Sequence, residues 1–198
     1  MIAIIDYGAG NLRSIQRAIE AAGAETSITS DPKVVMHANR VVLPGVGNAA
    51  AAMTRLKESG LAESVTTVAV RGKPVLGVCL GMQLLYEDQE EGPTTGLGLL
   101  PGDVRSLPRN VKVPQMGWNI ASFRADSPIS DLPSTYYYFV HSYIVHPSDP
   151  AQIMAETEYG VRFPSIVGRD NVWGFQFHPE KSGEEGLRLI QHWVNWSQ

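Results

Sequence analysis

Residues 74–85, Pro-Val-Leu-Gly-Val-Cys-Leu-Gly-Met-Gln-Leu-Leu, constrain this chain more than any other stretch. A proline followed by a short apolar run reads as a buried parallel strand. Met82, Leu85 and Tyr86, three and four residues apart, predict that a helix opens directly after it. The corner between the two is Gly77-Val78-Cys79-Leu80-Gly81, the layout of a nucleophile elbow with Cys in place of the more familiar Ser. A strand that turns at once into a helix holds its corner residue in a strained conformation, with neighbours too close for a Cβ, which accounts for both glycines. The corner side chain then projects at the carboxyl end of the sheet, and a helix N-terminus facing a thiol favours the thiolate. A lone Cys is more often a buried structural residue. The two flanking glycines are what point to Cys79 as a nucleophile.

The preceding residues alternate strand and helix. Residues 1–6 read as a buried strand and residues 7–10 as a loop. Asn11 is placed to cap a helix whose apolar positions are Leu12, Ile15, Ile19 and Ala22, with Gly23 as its stop. Gly8 and Gly10 after a strand invite a dinucleotide-binding reading, but Arg13 stands where the third glycine belongs. A second strand is expected over 25–29, then Asp31 as a cap with Pro32 at the first helical position. A third strand over 40–43 runs into Pro44-Gly45-Val46-Gly47, and two helices follow, stopped by Gly60 and Gly72. This alternation predicts a three-layer α/β fold: a mostly parallel sheet with helices on both faces and an antiparallel extension from the middle of the chain. Ligands of such sheets sit outside the carboxyl ends of the strands, where residues 44–47 and Cys79 both fall.

Residues 87–92, Glu-Asp-Gln-Glu-Glu-Gly, read as a solvated acidic turn without metal-ligand spacing. Loops and short strands are expected through Pro108, and further strands over 117–120 and 136–143. Residues 172–177 form a strand of large side chains that ends at His178-Pro179-Glu180. Ser182 and Glu185 then read as a capping box for a last helix, with Leu187, Ile190, Trp193 and Val194 inward. The chain has five His, and a lone His is usually structural or exposed; His146, in a polar stretch, is read as a loop bystander. Glu180 separates His178 from the rest, because alternate positions of an extended chain project to one side. A carboxylate there fixes the ring tautomer, so that the other nitrogen can take a proton from Cys79.

A length of 198 residues suits one domain with its own core. A net charge of −4 supplies no basic surface, so no nucleic-acid partner is expected. No run approaches the ~18 apolar residues of a membrane span and the first residues are too few for a signal peptide, so a cytoplasmic chain is expected. One Cys excludes an internal disulfide, and no Cys/His cluster points to zinc.

Residues 77–83 together with Gly174-Phe175-Gln176-Phe177-His178-Pro179-Glu180 resemble the two motifs of the class I (triad-type) glutamine amidotransferases, in the same order. Within that family, residues 6–11 (Asp-Tyr-Gly-Ala-Gly-Asn), 44–47, 115–119, 139–143 and 178–182 are similar to the glutaminase subunits of imidazole glycerol phosphate synthase. Most other members carry Pro-Gly-Gly where this chain has Pro44-Gly45-Val46. The resemblance implies hydrolysis of glutamine through a cysteinyl thioester, with the ammonia passed to a partner that makes imidazole glycerol phosphate and an aminoimidazole carboxamide ribonucleotide for histidine biosynthesis. That partner is a (β/α)₈-barrel cyclase subunit in a heterodimer, and neither cofactor nor metal is implied. By the same resemblance Cys79 is the nucleophile, His178 the base and then acid, and Glu180 the group that orients His178. The backbone N–H groups of Val46 and Leu80 are the implied oxyanion donors. Gly47, Gln83, Ser142 and Tyr143 are the implied glutamine contacts, with His141 contributing backbone. Asn11, Trp118, Tyr138 and Lys181 read as partner-interface residues, the plainer alternative being core aromatics and a surface lysine. A stand-alone cysteine hydrolase and a catalytically silent binding subunit are the competing readings.

Overall fold

The computed structural model describes residues 1–92 and 94–196. Its first half is the expected alternation: β1 (Ile2–Ile5), α1 (Leu12–Ala21), β2 (Thr26–Thr29), α2 (Pro32–His37), β3 (Arg40–Gly45), α3 (Ala49–Glu58), α4 (Leu61–Val70) and β4 (Val75–Cys79). β1, β3 and β4 are apolar at nearly every position because both faces are covered, whereas the edge strand β2, Thr-Ser-Ile-Thr, is half-buried. Ile2, Ile4, Val42 and Leu76 point to one side, where Ile15 and Ile19 of α1 meet Leu189, Ile190 and Trp193. Ala3, Ile5, Val41 and Leu43 point to the other, against Val35, Met53, Leu56 and Val65 from α2, α3 and α4. The last helix, α6 (Gly183–Asn195), supplies the apolar residues opposite α1.

After β4 come a single turn of helix, α5 (Leu80–Gln83), and the strands β5 (Tyr86–Gln89), β6 (Thr94–Thr95), β7 (Leu100–Ser106), β8 (Gln115–Phe123), β9 (Thr135–His141) and β10 (Tyr143–Pro147). The chain then adds β11 (Ile153–Glu158), β12 (Arg162–Arg169) and β13 (Val172–Phe175). The main sheet runs β2-β1-β3-β4-β13-β12-β11-β8-β9. Its pairings are parallel from β2 through β13 and antiparallel from β13 to the β9 edge, so the antiparallel extension is present. A smaller sheet, β10-β7-β5-β6, lies beside it. No helix among the described residues is long and apolar enough to cross a membrane.

Local expectations fail at four places here. The helix after the elbow stops after one turn, and Tyr86 begins a strand. The carbonyls of Leu84 and Leu85, which a longer helix would use, accept instead from Leu97, Leu99 and Leu100. Residues 87–92 are not a free acidic turn. Gln89 is buried and donates to Gln83 O (2.8 Å), and Glu91 accepts from Ala49 N–H (2.8 Å). His146 is exposed but lies in β10, opposite Asp103, not in a loop. Asn11 precedes α1 without a side-chain cap bond, whereas Asp31 caps α2 as expected by accepting from Lys33 N–H (2.8 Å).

Candidate active site

Cys79 sits at the end of β4 with φ +55° and ψ −113°, one of two non-glycine residues with positive φ among the described residues. The elbow is closed too tightly for side chains on its glycines. A Cβ on Gly77 would lie 2.6 Å from both Gly81 O and Met82 N, and one on Gly81 would run into Leu43 O. This packing holds a non-glycine residue in the left-handed region and presents the thiol at the carboxyl edge of the sheet. Because α5 is one turn long, it offers a smaller dipole to the thiol than the expected helix would.

His178 follows β13 and is buried, as is the Glu180 carboxylate. Its Nδ1 lies 2.8 Å from Glu180 Oε1, and Nε2 has no hydrogen-bond partner. The pairing stands, but not through an extended chain: residues Pro179–Lys181 form a 3₁₀ turn that brings the carboxylate back onto the ring. Burial alone would lower the His178 pKa; Cys79 and Glu180 outweigh it and raise the ring to about 9. The thiol is near enough to act on His178. Cys79 Sγ points at Val140 O, 3.7 Å away. The expected capping box at α6 is absent, because the Ser182 hydroxyl accepts from Tyr138 N–H (3.0 Å) rather than from helix N–H groups, while donating to His178 O (2.7 Å).

Cys79 lines a cavity of about 280 Å³. Such a volume falls just below the roughly 300–1,000 Å³ usual for small-molecule sites. The two residues predicted as oxyanion donors, Val46 and Leu80, are in its wall. So are Gly47, Gln83, His141, Ser142 and Tyr143, the predicted glutamine contacts. His178 and Glu180 are not in the wall. Gln83 spends its Nε2 on Tyr143 O (3.0 Å) and Gln176 Oε1 (3.2 Å), which leaves its Oε1 for a ligand. Burial, with a lesser push from His178, holds the His141 ring neutral with a pKa of about 4, against the Tyr143 carbonyl that raises it. A carbonyl only accepts, so Nδ1–H donates to Tyr143 O (2.9 Å). Nε2 lies 3.0 Å from Gln115 Oε1, and since that oxygen only accepts, the neutral ring bonds Gln115 once the amide is assigned the other way round, NH₂ toward the ring. The ring is therefore a strut between the Tyr143 carbonyl and Gln115.

Sequence reasoning missed Glu91, Pro114 and Val140, which also line the cavity. Among the described residues Glu91 is the only acidic one in that wall, and its position in a run of like charges concealed it. None of Asn11, Trp118, Tyr138 and Lys181 is in that wall. Trp118 is 56% exposed and meets the half-buried Tyr138 edge-on, centroids 6.1 Å apart, and Lys181 Nζ lies 5.8 Å from the Tyr138 ring. They are not core aromatics. The core positions of β9 are Tyr137 and Phe139. Trp118 is flanked on one face by exposed Met116 and Ile120, opposite Val140, Tyr138 and Tyr136 of β9, which makes a continuous apolar stripe.

A family model described as glutamine amidotransferase class-I matches residues 3–195. An imidazole glycerol phosphate synthase subunit HisH from Symbiobacterium thermophilum is 47% identical over 195 residues, covering 97% of this chain and 92% of the relative. A protein of the same description from Dehalococcoides mccartyi is 48% identical over 195 residues, covering 97% and 95%. Among solved structures, one described as a glutamine amidotransferase matches at TM-score 0.80 and 18% identity, over 99% of this chain and 100% of that one. PurLQS from Thermotoga maritima matches at TM-score 0.75 and 20% identity, over 98% and 97%. At those identities the structural likeness concerns the fold.

Proposed function

This chain belongs to the class-I glutamine amidotransferases, and from that premise we infer that it is the glutaminase subunit of an imidazole glycerol phosphate synthase. It hydrolyses glutamine to glutamate and ammonia and supplies the ammonia to a cyclase subunit in histidine biosynthesis. The observation that best supports a glutaminase is Cys79, held at positive φ in the wall of a small cavity, with the buried His178–Glu180 pair close enough to shift the ring.

In the proposed chemistry, Cys79 Sγ adds to the side-chain amide carbon of glutamine while His178 Nε2 holds the thiol proton. His178 then gives that proton to the amide nitrogen, the C–N bond breaks, and ammonia leaves a glutamyl thioester. Water adds to the thioester carbon as His178 takes its proton; the C–S bond breaks, the thiol regains a proton, and glutamate is released. Glu180 accepts from Nδ1–H throughout and keeps Nε2 free for transfer. The Leu80 and Val46 N–H groups receive the oxyanion. Glu91 and the free Gln83 Oε1 match the substrate α-ammonium, and the Ser142 and Tyr143 edge its α-carboxylate, with Gly47 and the His141 backbone completing the wall.

The cyclase of this reading is a (β/α)₈ barrel in a heterodimer. It docks on the stripe carrying Trp118 and Tyr138, together with Lys181 and Asn11, beside the cavity wall formed by Val140. Residues 1–198 work as one domain in the cytoplasm. A diazoketone analogue of glutamine tests the site: it should alkylate Cys79 once, with glutamine protecting. Modification elsewhere, or no protection, would contradict the reading.

A further inference from the structure

The sequence marks Ser182 as a helix cap, and the structure uses it for something else. Its backbone (φ −105°, ψ 21°) precedes α6, yet its hydroxyl makes no cap bond, forgoing an interaction worth about 1 kcal/mol. The hydroxyl instead donates to His178 O (2.7 Å) and accepts from Tyr138 N–H (3.0 Å). His178 N–H in turn donates to Tyr138 O (2.9 Å). Three hydrogen bonds thus close a ring through His178, Tyr138 and Ser182. Ser182 is 3% exposed, so no solvent replaces the hydroxyl if it is removed, and Tyr138 N–H is left without a partner.

We propose that Ser182 is a positioning residue for His178, whose hydroxyl locks the His178 turn to β9. The proposal rests on the glutaminase reading above. The His178 ring is tethered at Nδ1 alone, so Nε2 is aimed by the backbone that carries it. That backbone is held by Tyr138, whose ring stands on the outer face between Trp118 and Lys181. A partner that presses on this ring moves the His178 turn with the strand, and Ser182 makes the two move as one. A helix cap needs none of these contacts with His178.

The test is glutamate release by the complex with the cyclase, for wild type, Ser182→Ala and Ser182→Thr, with proton NMR of the His178 Nδ1–H. Ser182→Ala should lower kcat about 10- to 100-fold through misplacement of the base, with little change in KM for glutamine. The Nδ1–H resonance should broaden or shift, and Ser182→Thr, which keeps the hydroxyl, should recover most of the rate. Should the Ala variant not fold, Ser182→Cys, a weak donor of similar size, replaces it under the same outcomes. An active wild type with an equally active Ala variant overturns the role of Ser182 alone, as does a Thr variant as slow as Ala. A wild type that releases no glutamate overturns the glutaminase reading beneath it.

Discussion

Gly45 and Cys79 are register partners at the ends of the adjacent parallel strands β3 and β4. β3 runs two residues further than the sequence suggests, and this extension brings the segment ahead of Val46 level with the elbow. The approach is possible only because residue 45 is glycine. A Cβ there would lie 2.6 Å from the Tyr7 hydroxyl and 2.9 Å from Gly81 N. The amide after Gly45 and the thiol are thus carried on backbones in direct contact.

That contact gives Val46 a specific prediction. Val46→Pro removes one N–H from the cavity wall and should lower glutamine turnover about 10²–10³-fold in the complex, the usual effect of one oxyanion donor. Glutamine binding, measured by protection against the diazoketone, should persist. Full activity would show that this amide is not a donor.

The His178–Glu180 pair predicts an order of severity. Glu180→Gln keeps a carbonyl able to accept from Nδ1–H, whereas His178→Ala leaves nothing to move the proton. Saturating-glutamine rates should therefore fall further for His178→Ala than for Glu180→Gln. The reverse order would contradict the roles.

Stability should carry the signature of the same pair. The His178 pKa is raised from 6.5 to about 9, with Cys79 and Glu180 overcoming burial. A raised folded-state pKa means that the stabilisation is fully present below about pH 6.5 and is lost as pH rises through about 9. The urea stability of wild type minus that of His178→Gln should shrink across that window. A difference that stays constant from pH 6 to 10 would contradict it.

The elbow glycines predict a folding defect of their own. Gly77→Ala places a Cβ against backbone atoms of Gly81 and Met82, which cannot swing aside as a side chain can. Destabilisation of about 1–3 kcal/mol or more is expected from such overpacking. It would be read as a fall in Tm, and an unchanged Tm would show that the elbow can relax.

The elbow was legible in the sequence because two glycines around a Cys encode a steric requirement locally. The parallel half of the sheet was legible for a similar reason, since strands covered on both faces must be apolar throughout, as residues 2–5 and 41–43 are. What escaped was decided by distant partners. The helix after Cys79 ends at one turn because the Leu84 and Leu85 carbonyls bond to residues 97–100, which nothing near them announces. Ser182 gives up its cap to Tyr138, 44 positions away in the chain. Glu91 looked like one more charge in an acidic run until Ala49 N–H drew it to the cavity. The His178–Glu180 bond was anticipated, but a 3₁₀ turn, not strand alternation, makes it.

Cys79→Ala is the most direct test of a nucleophile that feeds a partner. The variant, assembled with the cyclase, is assayed for product with glutamine and, separately, with an ammonium salt. Loss of glutamine-dependent product with retention of the ammonium-dependent reaction is expected, because only ammonia generation needs the thiol. Glutamine-dependent product from the variant at the wild-type rate would contradict the assignment of Cys79 and the account built on it.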